Sequence, residues 1–195
     1  MNIDLGGRTA IISGSTGGIG LAIARGLARA NADVVIAGRS QKSLDAALAE
    51  VRKQGGRGQV QGVVADLGTA AGAETLFAAH PRADILVNNL GIYEATPALE
   101  ITDDEWRRYF DVNVLSAVRL IRAYLPGMTR QGWGRIQNIA SDSAIVIPHE
   151  MIHYGTSKTA LLSVARGFAK EAAGTGVTVN SVIAGPTHTG GVEDF

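Results

Sequence analysis

The sequence predicts an α/β protein, a doubly wound parallel sheet with helices on both faces. Three observations carry this. Short β-branched runs alternate with longer Ala/Leu-rich stretches of helical length. The runs are near-continuously apolar, the pattern of strands covered on both faces. The first run passes directly into a glycine-rich loop and then a helix, and repeated β-α units with crossovers of this length favour parallel strands.

The elements follow in order. The first strand covers Thr9–Ser13, and the helix after its glycine loop covers Ile19–Ala30. Strand Val34–Ala37 leads to helix Gln41–Gln54, and strand Val60–Val64 to helix Thr69–Ala79. Strand Ile85–Asn88 precedes a long helical stretch, Asp103–Gln131. Thr102-Asp-Asp-Glu105 opens that stretch as a capping box, with acidic charge in the first turn. Pro126 lies late in it and should kink or end the helix. Strand Arg135–Ile139, helix Tyr154–Ala173 and strand Val177–Ile183 complete the pattern. No linker, repeat or low-complexity segment interrupts it, so residues 1–195 read as a single domain.

Composition removes several function classes. The chain has 195 residues, 25 of them glycine, and no cysteine. That excludes a disulfide framework, a thiol nucleophile and a cysteine-based zinc site. Eighteen basic and 18 acidic side chains cancel, leaving no broad electrostatic footprint for nucleic acid. No apolar run approaches the ~18 residues of a membrane span, and the first residues lack a secretion-signal pattern. A cytoplasmic protein without membrane or nucleic-acid partners is expected. Hydrophobic residues make up 46% but aromatics only 5%, so the core should be built on Ala, Val, Ile and Leu.

The loop Ser13-Gly-Ser-Thr-Gly-Gly-Ile-Gly20 carries the first functional signal. Glycines let the chain turn off the strand end and let backbone approach a pyrophosphate held by free N–H groups at the helix N-terminus. Gly14, Gly18 and Gly20 fit G-x-x-x-G-x-G, while Gly14, Gly17 and Gly20 fit G-x-x-G-x-x-G, so the spacing alone leaves two nucleotide-binding patterns open. No Gly-Lys-Ser/Thr follows, which excludes a Walker A loop. The second strand ends Ile36-Ala-Gly-Arg-Ser40. Sites selective for NAD place an acid there for the ribose hydroxyls. Gly38 stands there instead, followed by Arg39, whose guanidinium can pair with a 2′-phosphate. NADP(H) is therefore favoured over NAD(H).

Tyr154 and Lys158 lie four apart in a helical stretch and share one face. An ammonium beside a phenol stabilises the phenolate and makes tyrosine a usable acid/base. Ser141 stands thirteen residues before Tyr154, Asn88-Asn-Leu-Gly91 ends the fourth strand, and Asn113 lies in the long helical stretch. With the glycine loop, these residues resemble the short-chain dehydrogenase/reductase family. The resemblance runs in order from about Gly7 to Thr189, and its set of motifs matches the short branch, not the extended epimerase and dehydratase branch. That branch uses G-x-x-x-G-x-G, and the fold it implies is Rossmann-like.

The resemblance implies a role for each matching residue. Tyr154 is the general acid/base at the reacting oxygen. Lys158 holds the nicotinamide ribose hydroxyls and lowers the pKa of Tyr154. Ser141 donates a hydrogen bond to the substrate oxygen, with Ser143 a runner-up at the wrong spacing. Asn113 anchors a water in a proton relay to Lys158. Gly14, Ser15, Thr16, Gly18, Ile19 and Gly20 cradle the cofactor, and Arg39 and Ser40 meet its adenosine end. Asp66, followed by Leu67, contacts the adenine amino group. Asn89 and Gly91 line the cleft. Gly185 lies near the nicotinamide and Thr189 binds its carboxamide. Ala184 stands where the family often has Pro, with Pro186 one residue past Gly185.

The implied reaction is hydride transfer between a nicotinamide cofactor and a small carbonyl or alcohol substrate. A 3-oxoacyl-thioester reductase and a non-catalytic nucleotide-binding regulator on the same fold are the alternatives. Arg130 and Arg135 are thin support for the first, and intact Ser141, Tyr154 and Lys158 speak against the second. A homodimer or homotetramer is implied, through the Asp103–Gln131 and Tyr154–Ala173 helices. The resemblance also implies that the family's C-terminal strand and substrate-covering lid are absent from this chain, so the reaction type is legible and the substrate is not.

One motif points elsewhere. His149-Glu-Met-Ile-His153 matches H-E-x-x-H, in which two histidines on one helix face bind zinc. Pro148 makes the segment read as a loop entering the Tyr154 helix, so no metal site is expected. His149, Glu150 and Met151 should line the rim of the substrate pocket, and His80 and His188 should be exposed loop residues.

Overall fold

The computed structural model describes residues 3–187. Its strands are β1 (Thr9–Ile12), β2 (Asp33–Gly38), β3 (Val60–Val64), β4 (Ile85–Asn88), β5 (Gly134–Ser141) and β6 (Val177–Ala184). Its helices are α1 (Gly18–Arg29), α2 (Gln41–Arg52), α3 (Ala70–Ala79), α4 (Asp103–Phe110), α5 (Ser116–Gln131) and α6 (Ile152–Glu171). The six strands hydrogen-bond in the order β3-β2-β1-β4-β5-β6, all parallel. This is the doubly wound, Rossmann-like sheet that the sequence pattern predicts.

The strand order explains where a site forms. The chain leaves β1 toward β2 and β3, then crosses back to build β4, β5 and β6 on the other side. A crevice opens where that direction reverses, beyond the carboxyl ends of β1 and β4.

Successive strand residues point to opposite faces, so one apolar run feeds two cores. Ile11, Val35, Leu86 and Ile136 pack beneath Leu76 of α3, Leu120, Ile121, Tyr124 and Met128 of α5, and Ala165 of α6. Ala10, Ile12, Val34, Ile36 and Val87 pack beneath Ala24 and Ala28 of α1 and Leu44, Leu48 and Val51 of α2. Each fully buried Leu or Ile contributes about 1.5–3 kcal/mol.

The structure departs from the sequence pattern at identifiable points. The long helical stretch is interrupted by a π-helical turn, Asp111–Leu115, between α4 and α5. The capping box at its start is present, with Glu105 N donating to Thr102 Oγ1 at 3.2 Å and Thr102 N to Glu105 Oε2 at 3.1 Å. Pro126 does not end α5. The helix continues to Gln131 and stops at Gly132, whose φ of 73° supplies the left-handed cap. Tyr124, Leu125 and Met128 are buried around the proline, and their packing offsets its missing N–H donor. Strand β5 runs to Ser141, paired with Ala184, so that serine closes the strand instead of following it. Helix α6 starts at Ile152, placing Tyr154 just inside its first turn. β3 is an edge strand with Gln61 and Val64 exposed, not one covered on both faces. His80 caps the C-terminal end of α3 and is half-buried, and His188 lies outside the described residues. Among the described residues no helix is long and apolar enough to cross a membrane.

Candidate active site

The glycine loop is clamped to β4 by two side chains that the sequence pattern does not single out for this work. Ser13, fully buried, accepts from the backbone N–H groups of Asn89 and Leu90, each at 3.0 Å. Asn89 Nδ2 donates to Gly14 O at 2.8 Å and to Ser13 O at 3.3 Å. Gly14 and Gly18 have φ of 59° and 51°, in the left-handed region that favours glycine. A Cβ on Gly20 would lie 2.3 Å from Gly14 O and 2.5 Å from Asn89 Nδ2. These three positions select the G-x-x-x-G-x-G spacing, because Gly17 is extended with φ −165° and has open space where a Cβ would sit.

Gly17 caps α1 without any side-chain acceptor, and the first turn of α1 carries no acid. Gly17, Gly18 and Ile19 border the cavity. Backbone N–H groups at a helix start, approachable because glycine surrounds them, fit a pyrophosphate. The hydroxyl of Ser15 turns inward. It donates to Ile12 O at 2.7 Å and accepts from Ala37 N at 3.1 Å, so its side chain shapes the loop and does not face the crevice. Thr16 reaches toward β2, where a Cβ on Gly38 would meet its Cγ2 at 2.5 Å. Any side chain at 38 would have to displace Thr16. Arg39 follows, exposed, and Ser40 caps α2 by accepting from Ser43 N at 3.3 Å. After β3, Asp66 is exposed and accepts from Gly68 N at 3.0 Å, while Leu67 is buried in the core.

A cavity of about 540 Å³ occupies the crevice. Ser141, Asp142, Tyr154, Lys158, Tyr93 and Gly91 line it opposite the glycine loop, with Gly185 and Pro186 along one side. Ser141 and Tyr154 come together because β5 ends at the crevice and α6 packs across β5 and β6. Tyr93 meets the Tyr154 ring edge-on, with centroids 6.1 Å apart. Gly91 permits close approach, since a Cβ there would lie 3.2 Å from Lys158 Nζ. Thr189 lies outside the described residues.

Lys158 is 5% exposed, and its Nζ donates to Ile139 O at 2.9 Å. Burial in this low-dielectric setting pulls its pKa down to about 8. Burial pushes Tyr154 the other way, above its ordinary value, and a hydrogen bond from Ser141 opposes that while the charge of Asp142 adds to it. The lowering expected from Lys158 is not the direction found in the protein alone. The ammonium is tied to Ile139 and stands 5.7 Å from the centre of the tyrosine ring.

The lysine carries a stability consequence. Its folded pKa of about 8 lies below the ordinary 10.5, so between those values the unfolded chain binds more protons. Wild-type stability therefore rises with pH through that window, and the cost of burying the charge is fully present below pH 8. Lys158→Met should raise the melting temperature at neutral pH, by about 1–3 kcal/mol of stability. The gain should fade as pH approaches 10.5, as thermal denaturation at several pH values would read directly.

Asn113 sits in the π-helical turn and is 1% exposed. Its Nδ2 donates to Ile92 O at 3.0 Å and Ser157 Oγ at 2.9 Å, and its Oδ1 accepts from Ile92 N at 2.8 Å. The side chain thus clamps the loop after β4 to α6, and both of its N–H donors are used in doing so. π-turns inside helices recur at functional sites because they re-aim one residue. A second buried amide pair, Asn88 Nδ2 to Asn138 Oδ1 at 2.8 Å, ties the end of β4 to the middle of β5. Asn88 opens the Asn88-Asn-Leu-Gly91 motif, while Asn138 shows in the sequence as an asparagine inside an apolar run.

The H-E-x-x-H segment does not form a metal site. His149–Met151 is a 3₁₀ turn preceding α6, so its two histidines do not share a helix face. His149 is exposed and pairs with Glu150 at 2.9 Å, while His153 is fully buried with its ring 4.0 Å from that of Tyr109. No cluster of metal-ligating side chains occurs among the described residues. Of the three residues expected at the pocket rim, Met151 lines the cavity, but His149 and Glu150 do not, because the 3₁₀ turn directs them to solvent and to each other.

A family model of short chain dehydrogenases matches residues 8–195. The chain belongs to the short-chain dehydrogenase/reductase family and is an oxidoreductase of the kind that acts on CH–OH groups. It is 47% identical over 193 residues to the uncharacterized oxidoreductase YvaG of Bacillus subtilis, covering 99% of this chain and 73% of that protein. It is 36% identical over 185 residues to D-beta-hydroxybutyrate dehydrogenase of Cupriavidus necator, covering 93% and 71%. L-sorbose reductase of Gluconobacter frateurii, solved with NADPH and L-sorbose, superposes with a TM-score of 0.91 at 32% identity, over 98% of this chain and 74% of that one.

Proposed function

We propose that this protein interconverts a small carbonyl compound and its alcohol with NADP(H), using Tyr154 as the general acid/base. The observation that carries this reading is the convergence of Ser141, Tyr154 and Lys158 on one cavity that also borders the glycine loop. Bound nicotinamide supplies or accepts the hydride at the substrate carbon. In reduction, the Tyr154 hydroxyl gives its proton to the substrate oxygen as that oxygen gains negative charge. In oxidation, the phenolate takes the proton back. Ser141 donates a hydrogen bond to the same oxygen, and Lys158 binds the nicotinamide ribose hydroxyls. Its bond to Ile139 holds it where it can do so. Asn113 anchors a water between Lys158 and solvent. Asp66 and Leu67 receive the adenine, Asn89 and Gly91 line the cleft, and Thr189 binds the carboxamide.

Arg39 favours NADP(H) because an exposed guanidinium at the end of β2 can pair with a 2′-phosphate. NADPH in the L-sorbose reductase supports the same choice. Arg39→Ala should weaken NADPH about tenfold and leave NADH within about twofold, measured by nucleotide fluorescence titration. Within one domain and the cytoplasm, the protein would act as a homodimer or homotetramer. An apolar groove of about 560 Å³ between α5 and α6, lined by Leu125, Pro126, Val164 and Phe168, supports assembly through those helices. Mixing the protein with NADPH and a panel of neutral ketones and aldehydes, while following nicotinamide absorbance, tests the function. Tight NADPH binding with no turnover across the panel would favour a non-catalytic, regulatory role instead.

A further inference from the structure

Resting on the carbonyl–alcohol reading of this cavity, we propose that Asp142 sets its substrate class. Its carboxylate favours uncharged α-hydroxycarbonyl compounds and their vicinal diols, and turns away substrates that carry a carboxylate of their own. Two charged side chains line the cavity, Asp142 and Lys158. Lys158 is 5% exposed and donates to Ile139 O at 2.9 Å, and in the proposed reaction the nicotinamide ribose engages it. The wall otherwise offers neutral side chains, Tyr93, Met151, Tyr154 and Pro186 among them. Asp142 is exposed, and no ion pair among the described residues neutralises it. The charge left for an incoming substrate to meet is therefore negative.

The position of the carboxylate specifies which hydroxyl it takes. Asp142 Oδ1 accepts from Ser143 N at 2.8 Å and lies 3.0 Å from Ser141 Oγ. The Ser141 hydroxyl turns about its C–O bond, so it can give its hydrogen to a substrate oxygen while Ser143 N stays on Oδ1. Oδ2 takes no hydrogen bond from any described residue. The backbone fixes the carboxylate in place. Asp142 opens a short 3₁₀ turn in which its carbonyl accepts from Ile145 N at 2.8 Å and Val146 N at 2.9 Å, and Thr159 Oγ1 of α6 donates to Ala144 O at 2.9 Å. Oxygens on neighbouring carbons stand about one hydrogen-bond length apart, the same spacing as Ser141 Oγ and Asp142 Oδ1. A substrate whose reacting oxygen sits on Ser141 thus brings a hydroxyl on the next carbon to Asp142. Hydrogen bonds to a charged acceptor are among the stronger kinds. A carboxylate at that place meets like charge instead, the repulsive half of specificity.

The test compares two matched pairs by kcat/KM with NADPH on the full chain. Hydroxyacetone and acetone differ by one hydroxyl, and methyl acetoacetate and acetoacetate differ by the charge. Asp142→Asn keeps an acceptor for Ser143 N and removes the charge, so acetoacetate should gain about tenfold relative to its ester. Asp142→Ala removes the acceptor as well, so hydroxyacetone should lose about tenfold relative to acetone. A merely structural role for Asp142 would change both members of a pair alike and leave the ratios in place. An acetoacetate ratio unmoved by Asp142→Asn, or a hydroxyacetone ratio unmoved by Asp142→Ala, overturns the proposal. Should no compound turn over, the carbonyl–alcohol reading falls by itself. The same ratios are then read as dissociation constants by ligand-observed NMR titration with NADPH present, where they move if Asp142 selects the ligand and stay in place if it does not.

Discussion

Tyr154→Phe should reduce turnover by about 10²- to 10⁴-fold, the range that a positioned general acid/base contributes. NADPH affinity should stay within about twofold, because the substitution removes one oxygen and no apolar surface. The ring is half-buried against Tyr93, and phenylalanine keeps that edge-on contact. Folding should therefore be intact, with a melting temperature close to wild type. Activity lost together with nucleotide binding would mean that the phenol acts mainly in binding. Turnover that survives the substitution would remove Tyr154 from the chemistry altogether.

Gly20→Ala should be the most damaging single methyl group in the cofactor crevice. Its Cβ would lie 2.3 Å from the Gly14 carbonyl and 2.5 Å from Asn89 Nδ2. Neither atom can retreat cheaply. One is backbone, and the other is the clamp that holds the loop to β4 at 2.8 Å. Overpacking of this kind costs about 1–3 kcal/mol. The displaced loop should also weaken NADPH by more than about tenfold, since its N–H groups must converge on the pyrophosphate. Gly17→Ala is the matched control. A Cβ there meets nothing within 4 Å, and φ of −165° suits any residue. Its melting temperature should be unchanged. Equal damage at positions 17 and 20 would show that loop flexibility, not close approach, is what the glycines provide.

Much of the site is legible along the chain because its signals are local. The four-residue spacing of Tyr154 and Lys158 shares a helix face wherever that helix packs. The glycine loop follows a strand and opens a helix, and those three facts are sequential. The Thr102–Glu105 capping box likewise involves only neighbours. What resists reading is local sequence overridden by distant contacts. Pro126 should end a helix by its own chemistry, and buried neighbours carry α5 past it. Asn113 reads as one more helical residue, yet bonds to Ile92 and Ser157 accompany a π-turn there. H-E-x-x-H matches a zinc motif, but a 3₁₀ turn after Pro148 separates its histidines.

The sequence by itself determined the order of strands and helices, the nucleotide loop and the chemical identity of the acid/base candidates. The first two follow from periodicity and glycine placement, which are properties of neighbouring residues, and the third from the ordered set of motifs that resembles the family. Only the tertiary structure decided which of them meet and in which direction burial shifts their pKa values. Asn89 holds Gly14, Lys158 reaches Ile139, and Ser141 and Tyr154 line one cavity. Each of these meetings joins residues that are not neighbours in the chain. Desolvation, which lowers Lys158 and raises Tyr154, exists only once the surrounding elements have packed.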